Sequence, residues 1–193
     1  MRQYDYKKAI CTLTILAINA GLFLFLSLVF REQGERFLVE HGGLYAHAVL
    51  ERGEYYRFVS SLFVHFGIEH LAGNMLLLTA LGYNLEIEKG HIKFLVIYFV
   101  SGIGGNIVSF WWRHVINVEG LVVSGGASGA VYGLMGAVLG TFIKHGRPIA
   151  RLSKQGILIM IGISLFISFT STGIDNAAHI GGLIFGFIIA LLV

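Results

Sequence analysis

The chain has 193 residues, of which 55% are hydrophobic and only 13% charged, with a formal net charge of +3. Mean hydropathy is +0.76, and a soluble domain carries about 25% charged residues, so most of this surface does not face water. A disordered chain, a nucleic-acid binder and an ordinary cytosolic enzyme are excluded. The lone cysteine, Cys11, allows neither an internal disulfide nor a cysteine metal cluster. Glycine at 26 residues against a single proline, Pro148, is the composition of closely packed membrane helices.

A spanning helix needs about 20 apolar residues to cross about 30 Å of hydrocarbon. Six segments meet or approach that length, at residues 9–30, 69–85, 93–112, 127–143, 155–170 and 177–193. The first carries no charge. Phe23, Phe25 and Phe30 stand where a cleaved signal peptide would need small residues, so this span is expected to remain as an anchor. The link after it, residues 31–67, holds apolar and aromatic clusters broken by Arg and Glu. That pattern suits a segment lying in the bilayer interface; a small extracellular subdomain is the plainer reading. The second and fourth spans are short, which suits the middle of a bundle. No repeat or linker divides the chain, so residues 1–193 read as one all-α membrane domain.

Basic residues near span ends set orientation. With the N-terminus inside, 9 of the 14 fall on inner segments: Arg2, Lys7, Lys8, Lys89, Lys93, Lys144, Arg147, Arg151 and Lys154. The outer segments hold the other 5, namely Arg31, Arg36, Arg52, Arg57 and Arg113. Both termini are expected on the cytoplasmic side.

Polar groups at membrane depth are costly and tend to be functional. Spans two, four and six run in the same direction, and each carries polar residues near its outer end: His70 and Asn74, Ser128, and His179. Each has a plainer role available. His70 and Asn74 share one helix face and can join helices; Ser128 can cap a helix; His179 can be a core histidine. Their common depth on three helices favours nucleophilic catalysis. A serine hydroxyl needs a base to take its proton, and neutral histidine serves near pH 7. The oxyanion formed on attack needs donors. Asn74, His70 and the Ser128 backbone N–H, at a helix N-terminus, can supply them.

The run from Ser124 to Gly129 has little bulk, so backbone can approach a substrate. Gly129, Gly133, Gly136 and Gly140 on span four, and Gly181, Gly182 and Gly186 on span six, permit the close crossing that would bring His179 to Ser128. Tyr132, one turn below Ser128, can brace the imidazole, or can be an ordinary core aromatic. Asp175, four residues before His179, reads as a cap, and Ser124 as a loop residue. His65 and Glu69 flank His70, but H-E-x-x-H is absent, so a zinc peptidase is not expected. His41, His47, His91, His114 and His145 carry no evident site.

These residues resemble a known family. Gly126-Ala127-Ser128-Gly129 and the following Ala130-Val131-Tyr132-Gly133 are similar to the serine motif of rhomboid intramembrane proteases. His70-Leu71-Ala72-Gly73-Asn74 is similar to the family's H-x-x-x-N motif, and Ala178-His179-Ile180-Gly181-Gly182 with Gly186 to its A-H-x-x-G-x-x-x-G motif. Tyr56-Arg57 resembles the W-R element of the first outer loop, with Tyr in place of Trp. The resemblance implies a six-transmembrane-helix rhomboid-like bundle of the minimal bacterial type, in the plasma membrane. It implies Ser128 as nucleophile, His179 as base and then acid, and His70 and Asn74 at the oxyanion. Tyr132 would stack on His179, with Gly126 and Gly129 in support, and neither metal nor cofactor would be needed. It implies a cavity open to the outside, partly covered by the last outer loop, residues 171–176. Helix five and that loop would move to admit a substrate helix. The partners would be single-pass membrane proteins cut near the outer face, within the lipid bilayer. A non-catalytic relative that binds or escorts membrane proteins is the alternative; such relatives usually lack the serine or histidine present here. A transporter would show a repeat or deep charges, which are absent.

Overall fold

Where helices cross with glycine at the contact, backbones touch directly, and the crossing becomes the rigid centre of a bundle. The structure, a computed structural model, describes residues 9–30, 34–115, 122–149 and 152–193. Arg2, Lys7, Lys8, Arg31 and Arg151 of the orientation argument lie outside these described residues. Among the described residues, six helices of 17 residues or more occupy the six predicted segments: α1 (Ile10–Phe30), α5 (Ile68–Lys89), α6 (His91–Val115), α7 (Ser128–His145), α8 (Lys154–Thr170) and α9 (Asn176–Leu192). Short helices α2 (Glu35–Glu40), α3 (Ala46–Arg52) and α4 (Arg57–Ser60) lie between α1 and α5.

Helix α7 is the centre: residues Gly129 to Val138, with Gly140 and Thr141, are all buried. It crosses α9 at van der Waals limits. A Cβ on Gly182 would sit 2.0 Å from the Gly129 carbonyl oxygen, and one on Gly186 2.0 Å from that of Gly133. Helix α6 joins from the other side, where a Cβ on Gly105 would lie 2.5 Å from the Ala178 carbonyl oxygen. Helix α8 differs. Only Ile157, Ile161 and Ser168 are buried on it, and Phe166 and Phe169 are exposed.

By length and composition, α1 and the His91–Arg113 part of α6 are apolar enough to cross a bilayer alone. Helix α5 passes together with Arg57–Phe63, across a bend of 94°. Helices α8 and α9, at 17 residues, fall short of the about 20 that a lipid-facing span needs. The chain is an integral membrane protein built mostly of helix.

Helix α5 runs further than the predicted 69–85 because its charged end is satisfied. The Glu86 carboxylate accepts from the Thr12 amide (2.7 Å), the Thr12 hydroxyl (2.6 Å) and the Cys11 amide (2.9 Å). Those amides begin α1, where backbone donors have no partner within the helix. One side chain thus caps α1 and pins it to α5.

The segment between α1 and α5 has its own buried core of Phe37, Leu38 and Val64 against Leu26 and Val123. Its pivot is Arg57, 3% exposed. Arg57 Nε donates to Glu54 (2.6 Å) and a terminal nitrogen to the Gly43 carbonyl (2.7 Å). Hydrogen bonding to Arg57 holds the Glu54 carboxyl below its usual range, against burial. Tyr55 and Tyr56 stay exposed. The described residues are mostly helical, with one two-stranded ladder. Leu44–Tyr45 (β1) pairs antiparallel with Val123–Ser124 (β2), Leu44 opposite Ser124. Ser124 is therefore no plain loop residue. This ladder, with the Gly126 amide donating to the Ser61 carbonyl at 2.8 Å, ties the segment before α7 to the first loop.

Candidate active site

Ser128 is the first residue of α7, with Ala127 at the cap position, one place earlier than a Ser128 cap would require. The turn into α7 depends on Gly126, whose φ of 122° lies in the region that disfavours side chains. Space also demands glycine there: a Cβ would stand 2.5 Å from His70 Cε1 and 2.8 Å from its Nε2. The same point lies 3.5 Å from Asn74 Nδ2. His70 and Asn74, one turn apart on α5, thus close over the glycine turn.

His179 lies in the first turn of α9, 6% exposed. The glycine crossing puts its Nε2 2.9 Å from Ser128 Oγ. Its ring stacks on Tyr132, with centroids 4.1 Å apart and planes at 12°. The Tyr132 hydroxyl donates to the Ser164 carbonyl of α8 at 2.6 Å. Of the seven residues singled out from sequence, the structure brings Ser128, His179 and Tyr132 into one contact chain and His70, Asn74 and Gly126 into another. Gly129 sits in the α7–α9 crossing instead. Ser128, His179, Tyr132, His70 and Asn74 all line one cavity of about 640 Å³, and Thr172, Gly173 and Ile174 of the loop between α8 and α9 form part of its wall. Among the described residues, Asn74 Nδ2 is buried without a hydrogen-bond partner. An unspent donor beside a serine–imidazole contact suits an anion that forms during a reaction.

Sequence reasoning missed three neighbours. His65, set aside earlier, is buried, and its Nε2 accepts from the Ala127 amide at 3.3 Å. Burial, and then the nearby His70, push His65 down to about 3, so the ring stays neutral and able to accept. Asp175 does cap α9, accepting from the Ala178 amide at 3.0 Å. It also pairs with Arg113 at 3.0 Å and accepts from the Ser109 and Ser124 hydroxyls, each at 2.5 Å. Burial pushes its carboxyl up, but Arg113, the two hydroxyls and the amide outweigh that and hold it below the usual range. Ser168 Oγ lies 2.8 Å from His179 Nδ1. A serine in an apolar segment gives no sequence signal of such a contact.

A cavity that gathers histidine, serine, asparagine and aspartate side chains between apolar helices places costly polar groups inside a membrane protein. The Rhomboid domain family model matches residues 52–193, and the chain belongs to the rhomboid family. It is similar to "Rhomboid protease GluP" of Bacillus subtilis (strain 168), 34% identical over 179 residues, covering 93% of this chain and 34% of that protein. It is similar to "Rhomboid protease AarA" of Providencia stuartii, 30% identical over 202 residues, covering 93% of this chain and 71% of that one. It is also 33% identical over 152 residues to "RHOMBOID-like protein 5" of Arabidopsis thaliana, covering 78% of this chain and 48% of that one. This chain spans about a third to a half of the length of GluP and of the plant relative.

Proposed function

We propose that this protein is an intramembrane serine endopeptidase that cuts transmembrane segments of membrane proteins near the outer membrane face. The reading rests above all on the 2.9 Å contact between Ser128 Oγ and His179 Nε2, beside the unspent donor of Asn74. Similarity to proteins named as rhomboid proteases supports it.

The chemistry follows from those atoms. Ser128 Oγ attacks the scissile carbonyl carbon while its proton passes to His179 Nε2. Charge collects on the carbonyl oxygen, where Asn74 Nδ2, His70 and the Ser128 amide stabilise it. His179 returns the proton to the leaving amine, and the acyl group stays on Ser128. Water then attacks that ester, giving a proton to His179 Nε2; as the ester C–O bond breaks, His179 passes that proton to Ser128 Oγ, and the new carboxyl product leaves. The stack on Tyr132 keeps the imidazole plane fixed throughout. No step requires a metal or cofactor.

The proposal extends to the whole chain. Residues 1–193 form one domain of six spans, both termini face the cytoplasm, and the first outer loop lies in the interface. The host membrane is a bacterial plasma membrane. The test is cleavage of a single-pass substrate by purified protein in liposomes. Ser128→Ala and His179→Ala are each expected to reduce it to background. Retained cleavage in either variant would overturn the dyad. Failure of a fluorophosphonate probe to label Ser128 in folded, inactive protein would favour a non-catalytic binding or escort role.

A further inference from the structure

A histidine that takes a proton at Nε2 must carry its own proton at Nδ1. In a neutral imidazole, the group facing Nδ1 decides between the two tautomers. Here that group is the Ser168 hydroxyl, at 2.8 Å. A hydroxyl can donate or accept, so its direction depends on its other partner. That partner is Asn176 Oδ1, which the Ser168 hydroxyl also contacts. A carboxamide oxygen only accepts. The single Ser168 proton therefore goes to Asn176, leaving a lone pair toward His179, and Nδ1 must hold a hydrogen.

The arrangement is economical in sequence. Asn176 is the first residue of α9, three before His179, so one helical turn carries both the imidazole and the acceptor that orients its partner. The partner comes from α8, where Ser168 is the one polar residue among its three buried ones. Asp175, the carboxylate that acts on His179 through its charge, is committed to Arg113, Ser109, Ser124 and the Ala178 amide. The groups facing His179 are Ser128 and Tyr132 from α7 and Ser168 from α8, with His70 and Asp175 as its charged or titratable neighbours beyond contact.

We propose that Ser168 is a positioning residue for the peptidase reaction: held by Asn176, it fixes His179 in the tautomer that can accept the Ser128 proton. The inference rests on the serine–histidine reading above. When Nε2 takes that proton, Nδ1–H stays bonded to Ser168 Oγ, whose O–H still points to Asn176. No proton leaves Nδ1, and the two aligned dipoles stabilise the imidazolium.

Ser168→Ala is expected to lower kcat about tenfold to a hundredfold, less than the about hundredfold to ten-thousandfold that general base catalysis supplies as a whole because the base itself remains, with KM unchanged and the protein folded. Ser168→Thr, which keeps the hydroxyl, and Asn176→Asp, which keeps the acceptor, should restore activity. Asn176→Leu should match Ser168→Ala, and combining the two should add little, because they break one chain. Nitrogen-15 NMR of histidine-labelled protein, with His179→Gln to assign the signal, should show an Nδ1–H tautomer in the native protein and its loss in Ser168→Ala. A native Nε2–H tautomer, or full kcat in Ser168→Ala, overturns the relay. If Ser168→Ala fails to fold, the native spectrum and the Asn176 pair still decide. The two proposals fail differently: cleavage by His179→Ala defeats the dyad, whereas cleavage lost in His179→Ala but untouched in Ser168→Ala defeats only the relay.

Discussion

Helices α7 and α8 both reach His179, yet they are attached to the molecule in different ways. Helix α7 meets α9 backbone to backbone, with carbonyl oxygens where side chains would be. Helix α8 offers three buried residues and leaves Gly162 with nothing within 4 Å of a Cβ position. The proposed nucleophile and base sit on the rigid pair, and the groups that contact His179 and Tyr132 from outside it, the Ser168 hydroxyl and the Ser164 carbonyl, sit on the looser one. Reactive atoms need fixed separation, whereas a wall that admits a substrate must be able to give. The fold meets both needs by dividing them between helices.

The largest effect should come from breaking the rigid pair. Gly186→Ala puts a methyl group 2.0 Å from the Gly133 carbonyl oxygen, where backbone cannot yield. Destabilisation beyond about 3 kcal/mol, the upper range of ordinary overpacking, is expected, together with loss of cleavage. Thermal unfolding in detergent measures the first, and a stable variant would show that the crossing is not tight. Gly126→Ala should leave more of the fold but displace His70, since its methyl group meets that ring at 2.5 Å on a φ that resists side chains. A fall in kcat of about a hundredfold is expected, comparable with losing one oxyanion donor. Steady-state cleavage of a transmembrane substrate checks it.

Much of this division can be read from the sequence, and its limits have physical causes. Ser128, His179, His70 and Asn74 stand out because polar groups in apolar segments are expensive. Tyr132 follows from one helical turn, and the α7–α9 crossing from spaced glycines. A two-residue strand such as β1 has no periodicity to detect, so Ser124 reads as loop. The burial of Arg57 has no local signal, because the Gly43 carbonyl to which it donates lies 14 residues away. Ser168 is one hydroxyl among several in an apolar helix, and only the approach of α9 gives it a partner.

A smaller effect should appear where the loop between α8 and α9 is tied down. Asp175 joins that loop to α6 and to β2 through Arg113, Ser109 and Ser124. Asp175→Asn keeps the cap but leaves Arg113, 21% exposed, without its carboxylate. A loss of about 1–3 kcal/mol is expected. Because the folded carboxyl is held below its usual range, its stabilisation is complete above the unfolded value near about pH 4. It is lost as pH falls through the lower folded value. The gap in thermal midpoint between native protein and Asp175→Asn should therefore be widest near neutrality and close in acid. A gap independent of pH would mean that the ion pair contributes nothing.

The mildest change isolates α8 from the chemistry. Tyr132→Phe keeps the ring stacked on His179 but removes the hydroxyl that donates to the Ser164 carbonyl. About 1 kcal/mol of attachment should go with one such hydrogen bond. If α8 is the yielding wall, amide exchange should speed up along α8 while α7 and α9 stay protected, with kcat nearly kept. Gly162→Ala is the control, because its methyl group enters open space on the outer side of the same helix and should leave exchange elsewhere unchanged. Exchange that rises equally in α9 would mean that the two helices open together, and the contrast between a rigid pair and a loose wall would fail.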